Sequence, residues 1–149
     1  MKAKKAKTKA KKGQRLKQVG ALPFRREPDG ELRFLLLTSR GTKRFIIPKG
    51  WQMKELSDAE AAAEEARQEA GVVGAVAEEP IGSYFYWKRL KNAFVPITVD
   101  VYPLEVHEEL RTWKERGQRL RNWLSADQAM ALVDEPQLIH VLETAEAAL

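Results

Sequence analysis

Between Ser57 and Gly71 the chain carries a helix whose alanines dictate what it can lie against. Ser57 is a good N-cap, and Glu60 three positions on completes a capping box, so the first turn starts there. Gly71 is the residue expected just past the last turn. Ala59, Ala62, Ala63, Ala66 and Ala70 recur at helical spacing and give one face made of methyl groups. Small side chains let a helix sit close against a sheet. The other faces carry Glu60, Glu64, Glu65 and Glu69, with Gln68 among them and Arg67 as the one basic residue.

The flanking sequence supplies the sheet. Residues 18–25 (QVGALPFR) and 31–38 (ELRFLLLT) read as strands separated by a turn at EPDGE, with Pro23 suggesting an edge or irregular position. RFIIP is a short third strand, and PKGWQMKEL has no clear periodicity and reads as a loop. Residues 72–77, 81–88 and the long AFVPITVDVYPLEV stretch are further strands, with a hairpin turn at RLKN. HEELRTWKERG fits a short helix or a loop. QRLRNWLS is a final strand, Ser125 with Gln128 opens a helix to about Val133, and Pro136 sits early in a last helix. Intermixed strands and helices with hairpins between neighbours argue an α/β (α+β) fold, a mixed sheet with helices on its faces.

Charge divides the chain. Residues 1–17 hold eight lysines, one arginine and no acid, so this segment carries +9, against a net +5 for the whole chain, and the remainder is −4. A Lys/Ala segment of this kind is expected as a disordered basic tail (1–17) preceding one domain (18–149), and to attract nucleic acid or polyphosphate weakly through screened charge. No cysteine is present, which excludes a disulfide framework, a thiolate metal site and a Cys nucleophile. With His107 and His140 as the only histidines, and no motif around either, a His-based zinc site is not expected. No apolar run reaches membrane-spanning length, so no membrane contact is expected and the cytoplasm is the expected compartment.

The acidic face invites a chemical reading. Residues four apart share a helix face, so Glu65 and Glu69 form a pair and Glu64 and Gln68 a second ridge beside it. Mg²⁺ binds through a few carboxylates while keeping several waters and contacting substrate phosphates. The Gly-containing PKGW loop leading into the helix would place a ligand beside those acids. The bland reading of the same residues is a solvated acidic face.

Residues 50–72 resemble the Nudix box, G-x5-E-x7-R-E-U-x-E-E-x-G-U with U a bulky apolar residue. Gly50, Glu65, Glu69, Gly71 and Val72 fall on matching positions. The box is degenerate: Leu56 stands in place of the first Glu, Glu64 in place of Arg, small Ala66 in place of U, and Gln68 in place of the first Glu of the pair. VGALPFR, RFIIPKG and GQRLRNWLSADQAMALV extend the likeness over residues 18 to about 135. Together they resemble the subgroup similar to diphosphoinositol-polyphosphate phosphohydrolases.

The resemblance implies the Nudix fold and Mg²⁺- or Mn²⁺-dependent hydrolysis of a diphosphate linked to another moiety. By motif position, Glu65 and Glu69 would be metal ligands and Glu65 a candidate base. Gln68 would coordinate through its carbonyl oxygen, and Glu64 would restore the missing charge, with Arg67 three residues on in place of the absent Arg. The substrate expected is a highly phosphorylated small molecule, a dinucleoside polyphosphate or a diphosphoinositol polyphosphate. Arg44, Lys49, Gly50, Arg119 and Arg121 are the candidate substrate-binding residues, set against ordinary surface charge for the cations; Arg40 and Lys43 lie in the same upstream cluster. Trp51 reads as a base-stacking or, better, a packing residue. The alternative function is a catalytically weakened Nudix domain that binds a nucleotide or RNA.

Overall fold

A computed structural model describes residues 3–149 of the chain, with the side chain of Ala3 outside what is described. The elements in order are α1 (Ala3–Lys11), β1 (Leu16–Arg26), β2 (Leu32–Thr38), β3 (Phe45–Ile46), β4 (Lys49–Trp51), α2 (Asp58–Ala70), β5 (Val72–Val76), β6 (Gly82–Leu90), β7 (Ala93–Glu109), β8 (Arg121–Ser125), α3 (Ala126–Leu132) and α4 (Pro136–Ala148). The strands join in one mixed sheet along the path β3-β2-β1-β7-β5, with β4 added to β1, β6 to β7 and β8 to β2. β1 and β7 run parallel at its centre, and the other pairings are antiparallel.

Strand alternation splits the core into two layers. On one face Val19, Ala21, Leu35, Leu37, Tyr102 and Leu104 pack against the alanines of α2. On the other, Leu22, Phe34, Leu36, Val95, Ile97 and Val99 pack against α3, α4 and Ala6 of α1. The result is the expected sheet between helices. The alanine face is shifted slightly from its sequence reading: Ala61 is buried with Ala59, Ala62, Ala66 and Ala70, whereas Ala63 is half-buried.

Pro23 lies in a central strand rather than at an edge. One side of β1 pairs with β4 at residues 18–20 and with β2 at residues 24–26. The proline falls in the gap between these two partners, where no ladder bond needs an N–H. Pro103 occupies the equivalent gap on β7, between the ends of the β6 and β5 ladders.

Two expectations are corrected, and one reading left open is decided. The basic segment, from residue 3 on, is helical over Ala3–Lys11, and β1 begins at Leu16, inside the range expected as a tail. Alanine and lysine are good helix formers, and Ala6 and Ala10, four apart, give the helix a small apolar contact with the core. Lys49–Trp51, expected within a loop, is a short strand because β1 offers it a free edge at Gln18–Gly20. HEELRTWKERG forms no helix: β7 continues to Glu109 and turns follow.

Those turns fold onto the end of α2. Leu110 N donates to Gly71 O (2.7 Å) and Glu115 N to Gln68 O (3.0 Å), satisfying carbonyls the helix leaves open. Gly71 is left-handed (φ 66°), and a Cβ there would also press into the Trp113 ring, with Cγ at 2.9 Å. Gly71→Ala should therefore lower stability by about 1–3 kcal/mol, measured by urea unfolding, since both backbone and packing oppose the methyl. An unchanged midpoint would show that the turn is not held against the helix.

Candidate active site

β4 and α2 bring the site together. Gly50 pairs with Val19 on β1 and turns its bare Cα toward α2. A Cβ at Gly50 would collide with the Glu65 carboxylate, with Oε2 at 2.8 Å, so the glycine makes room for that acid beside the backbone. One turn along, Glu69 Oε1 lies 3.4 Å from the backbone N–H of Lys49, which donates to it. Glu69 is 6% exposed, although a carboxylate would ordinarily keep to solvent. Its pKa is pushed up to about 9, first by burial and then by its hydrogen bond to Glu65 and the Glu65 charge. Arg119 and Lys49 offset this only in part.

Cations and aromatic rings face this pair. Lys49 Nζ lies 4.8 Å from the Tyr86 ring centroid. Its pKa is lowered by burial, against the attraction of Glu69. Tyr86 Oη donates to Oε1 of buried Gln18 (2.7 Å). Lys88, two residues along the same face of β6, is also lowered by burial and then by Arg40, with Glu69 acting the other way. Arg119 is nearly buried, held by Glu115 Oε1 (3.0 Å), and its charge reaches both Glu69 and Lys49. Glu135, at the start of α4, has its pKa raised by burial, with Arg44 and Lys49 opposing.

The sequence candidates separate accordingly. Glu65, Glu69, Lys49, Gly50 and Arg119 converge. Arg44 lies at the margin, with Nε donating to Thr42 Oγ1 (3.1 Å) and NH1 3.8 Å from Asp134. Arg121 points elsewhere. Its NH1 donates to the carbonyls of Ala70 (3.3 Å) and Gly71 (3.5 Å), and its guanidinium stacks 4.2 Å from the Trp113 ring. It caps the negative end of α2, because β8 begins beside that terminus. Glu64 is held by Arg67 Nε (2.9 Å) and by Gln68 Nε2 (2.8 Å). The Arg67 guanidinium keeps its carboxyl below the usual carboxylate range. Glu64 and Arg67 line a shallow groove of about 320 Å³ with Leu56, Glu60, Ala63 and Val73, and the Gln68 amide serves Glu64 there. His107 and His140 are exposed. Trp51 is half-buried and packs on the core.

Lys88, Tyr86 and Glu135 are not among the residues that the sequence singles out. The alternation Tyr84, Tyr86, Lys88 did carry a signal, since it puts the lysine on the inward face of β6. For Glu135 no signal existed, because its burial comes from the placement of α4.

Among the described residues no group of three or more His, Asp or Glu side chains is gathered to hold a metal. The fit to a divalent cation rests instead on Glu65 and Glu69. Two carboxyl groups meet in a buried place where the nearby cations offset their repulsion only in part. A hard cation needing one or two carboxylates, with oxygens of water or phosphate completing its shell, fits this donor set.

Comparison with known proteins places the architecture. No family model matches the chain. Nudix hydrolase 18, mitochondrial, of Arabidopsis thaliana is 36% identical over 118 residues, covering 74% of this chain and 65% of that protein. Nudix hydrolase 16, mitochondrial, of the same plant is 33% identical over 131 residues, covering 79% and 72%. The chain thus spans about two thirds of the length of these relatives. A C. elegans Ap4A hydrolase binary complex superposes with a TM-score of 0.66 at 19% identity, covering 89% of this chain and 96% of that one. The NUDIX domain of Shewanella oneidensis NrtR, complexed with ADP ribose, gives a TM-score of 0.66 at 14% identity over 99% of both chains. With its mixed sheet between helices and relatives at this level of identity and coverage, the chain belongs to the Nudix hydrolase family.

Proposed function

We propose that the protein is a Mg²⁺- or Mn²⁺-dependent hydrolase of a phosphoanhydride bond in a nucleoside or dinucleoside polyphosphate or a diphosphoinositol polyphosphate. The observation that carries this reading is the Glu65–Glu69 pair seated against Gly50 with Lys49 and Arg119 around it. When bound by Glu65 and Glu69, the cation supplies Lewis acidity at a phosphoryl oxygen and a more acidic water. Glu65 is the candidate base, being the acid of the pair that is not deeply buried. Lys49, Lys88 and Arg119 bind phosphate oxygens and neutralise charge that accumulates in transfer, which is most of what phosphoryl chemistry asks of a protein. An Ap4A hydrolase and a domain complexed with ADP ribose among the structural neighbours support a nucleotide polyphosphate or diphosphate.

A second reading is favoured by one observation. Glu64 is neutralised by Arg67 and turned into the groove beside Leu56, so the box delivers two carboxylates rather than a fuller set. A catalytically weakened domain that binds a nucleotide would look the same. Product analysis by phosphorus NMR over nucleoside and dinucleoside polyphosphates and inositol diphosphates, with Mg²⁺ and Mn²⁺, separates the two. Metal-dependent cleavage of at least one substrate is expected. Binding by calorimetry without cleavage of any of them would select the weakened domain.

A further inference from the structure

β6 has two working faces. Tyr86 and Lys88 look into the candidate active site, whereas Phe85, Trp87 and Arg89 point away from it by strand alternation. Across the hairpin, Phe85 stands opposite Thr98, Trp87 opposite Pro96 and Arg89 opposite Phe94. Phe85 is 39% exposed, Trp87 57% and Phe94 64%, a concentration of bare aromatic surface on one sheet face. The Phe85 and Trp87 rings meet edge to face with centroids 5.4 Å apart.

The charge around these rings has one sign. From Pro80 to Val99 the sequence has no acid, while Lys88, Arg89 and Lys91 lie within it. The nearest acid on the strand, Asp100, is bound by Lys17 at 3.0 Å. Helix α1 packs through Ala6 in the opposite layer, with Val95 and Ile97, but Arg15, in the link from α1 to β1, borders Pro96 and Thr98 on the aromatic face. Aromatic rings at alternate positions on an open sheet, flanked by cations, are how proteins hold single-stranded nucleic acid: bases stack on the rings and phosphates follow the positive rim. A membrane anchor would place apolar residues at the hairpin tip, but the tip here is Lys91–Asn92.

We propose that the outer face of the β6–β7 hairpin, with Phe85, Trp87 and Phe94 as stacking rings and Arg89, Lys91 and Arg15 as the cationic rim, binds single-stranded nucleic acid. The surface is separate from the candidate active site, lying on the opposite side of β6, and the proposal stands whichever substrate that site takes.

Fluorescence anisotropy with a fluorescein-labelled thymidine oligonucleotide of about 12 nucleotides, within the range of known site sizes, tests it on the full chain. Trp87→Ala with Phe94→Ala should weaken binding at least ten-fold and leave the salt dependence unchanged, because stacking is lost and phosphate contacts are kept. Trp87→Phe should bind nearly as the wild type. Both sites are exposed, so circular dichroism and turnover of a small phosphorylated substrate should not move. Wild-type affinity in the double variant would overturn the proposal. So would a wild-type dimer, seen by sedimentation, that the double substitution dissociates without touching oligonucleotide affinity. Loss of binding to vesicles of mixed neutral and anionic lipid, with oligonucleotide affinity intact, would overturn it equally.

Discussion

Glu69→Gln should lower metal-dependent hydrolysis about 100-fold, roughly 2.7 kcal/mol of transition-state stabilisation, and at the same time stabilise the metal-free protein. The two effects have one cause. Glu69 is buried against Glu65, so the folded chain holds its carboxyl in the protonated form well above the pH at which the unfolded chain releases it. Between about pH 4.5 and about 9 the native state therefore binds more protons than the unfolded state, and stability falls as pH rises. Lys49 acts in a later window: its folded pKa is lowered to about 8 from 10.5, so the stability it costs is recovered as pH rises between those two values. Thermal unfolding from pH 5 to 7.5 without metal separates the glutamate from Lys49. Wild type and variant should both lose melting temperature through Glu135, whose pKa burial also raises, but the wild type should lose more across this interval than the variant. Saturating Mg²⁺ should reverse the order, because a cation bound to the folded state adds to its stability. Full activity in the variant, or parallel pH curves, would show that Glu69 does not hold the catalytic cation.

Gly50→Ala is expected to be as damaging to catalysis while leaving the fold nearly intact. The added methyl would occupy the space of the Glu65 carboxylate. Glu65 is the end of a flexible side chain and is not fully buried, so it can swing aside more cheaply than β4 can leave β1. The acid would then sit off its position relative to Glu69. A displacement of about 1 Å at a positioned group can cost on the order of 100-fold. Turnover should fall by that order, the Mg²⁺ concentration for half-activity should rise, and the melting temperature should move by little. Normal turnover would place the work of Glu65 elsewhere than beside Gly50.

Much of this molecule was legible in its sequence, and the parts that were not share a reason. Helix α2 begins after Ser57 and ends at Gly71 as read, because the capping box and the left-handed glycine are local devices. Ser125 with Gln128 and Pro136 located α3 and α4 by the same logic. Glu65, Glu69 and Gly50 came from the motif and Lys49 from its place just before it, and the four converge. What a local pattern cannot report is what a distant segment does. The burial of Glu69 depends on β4 lying across α2. The diversion of Arg121 to the carbonyls of Ala70 and Gly71 depends on where β8 starts. Arg119 and Arg121, two apart, looked equivalent along a strand. In the fold Arg119 precedes β8 and turns to Thr38 and Glu115, so the pair divides between the candidate site and the end of α2. The helical state of α1 depends likewise on the apolar contact that the rest of the domain offers to Ala6.

The parallel ladder between β1 and β7 has a kinetic consequence. It joins Leu16–Phe24 to Ile97–Glu105, segments about 80 residues apart, and antiparallel partners on either side hang from it. Closing so long a loop is an entropic cost met before most of the sheet's contacts form, which places folding in the slow, non-local class. On a ribosome, β1, β2 and α2 would all emerge well before β7 completes the platform on which α2 rests. The carboxylates of α2 therefore reach their final spacing late, after the chain has committed to its topology. A divalent cation can then have little part in starting the fold, and its grip is felt chiefly as a brake on leaving it.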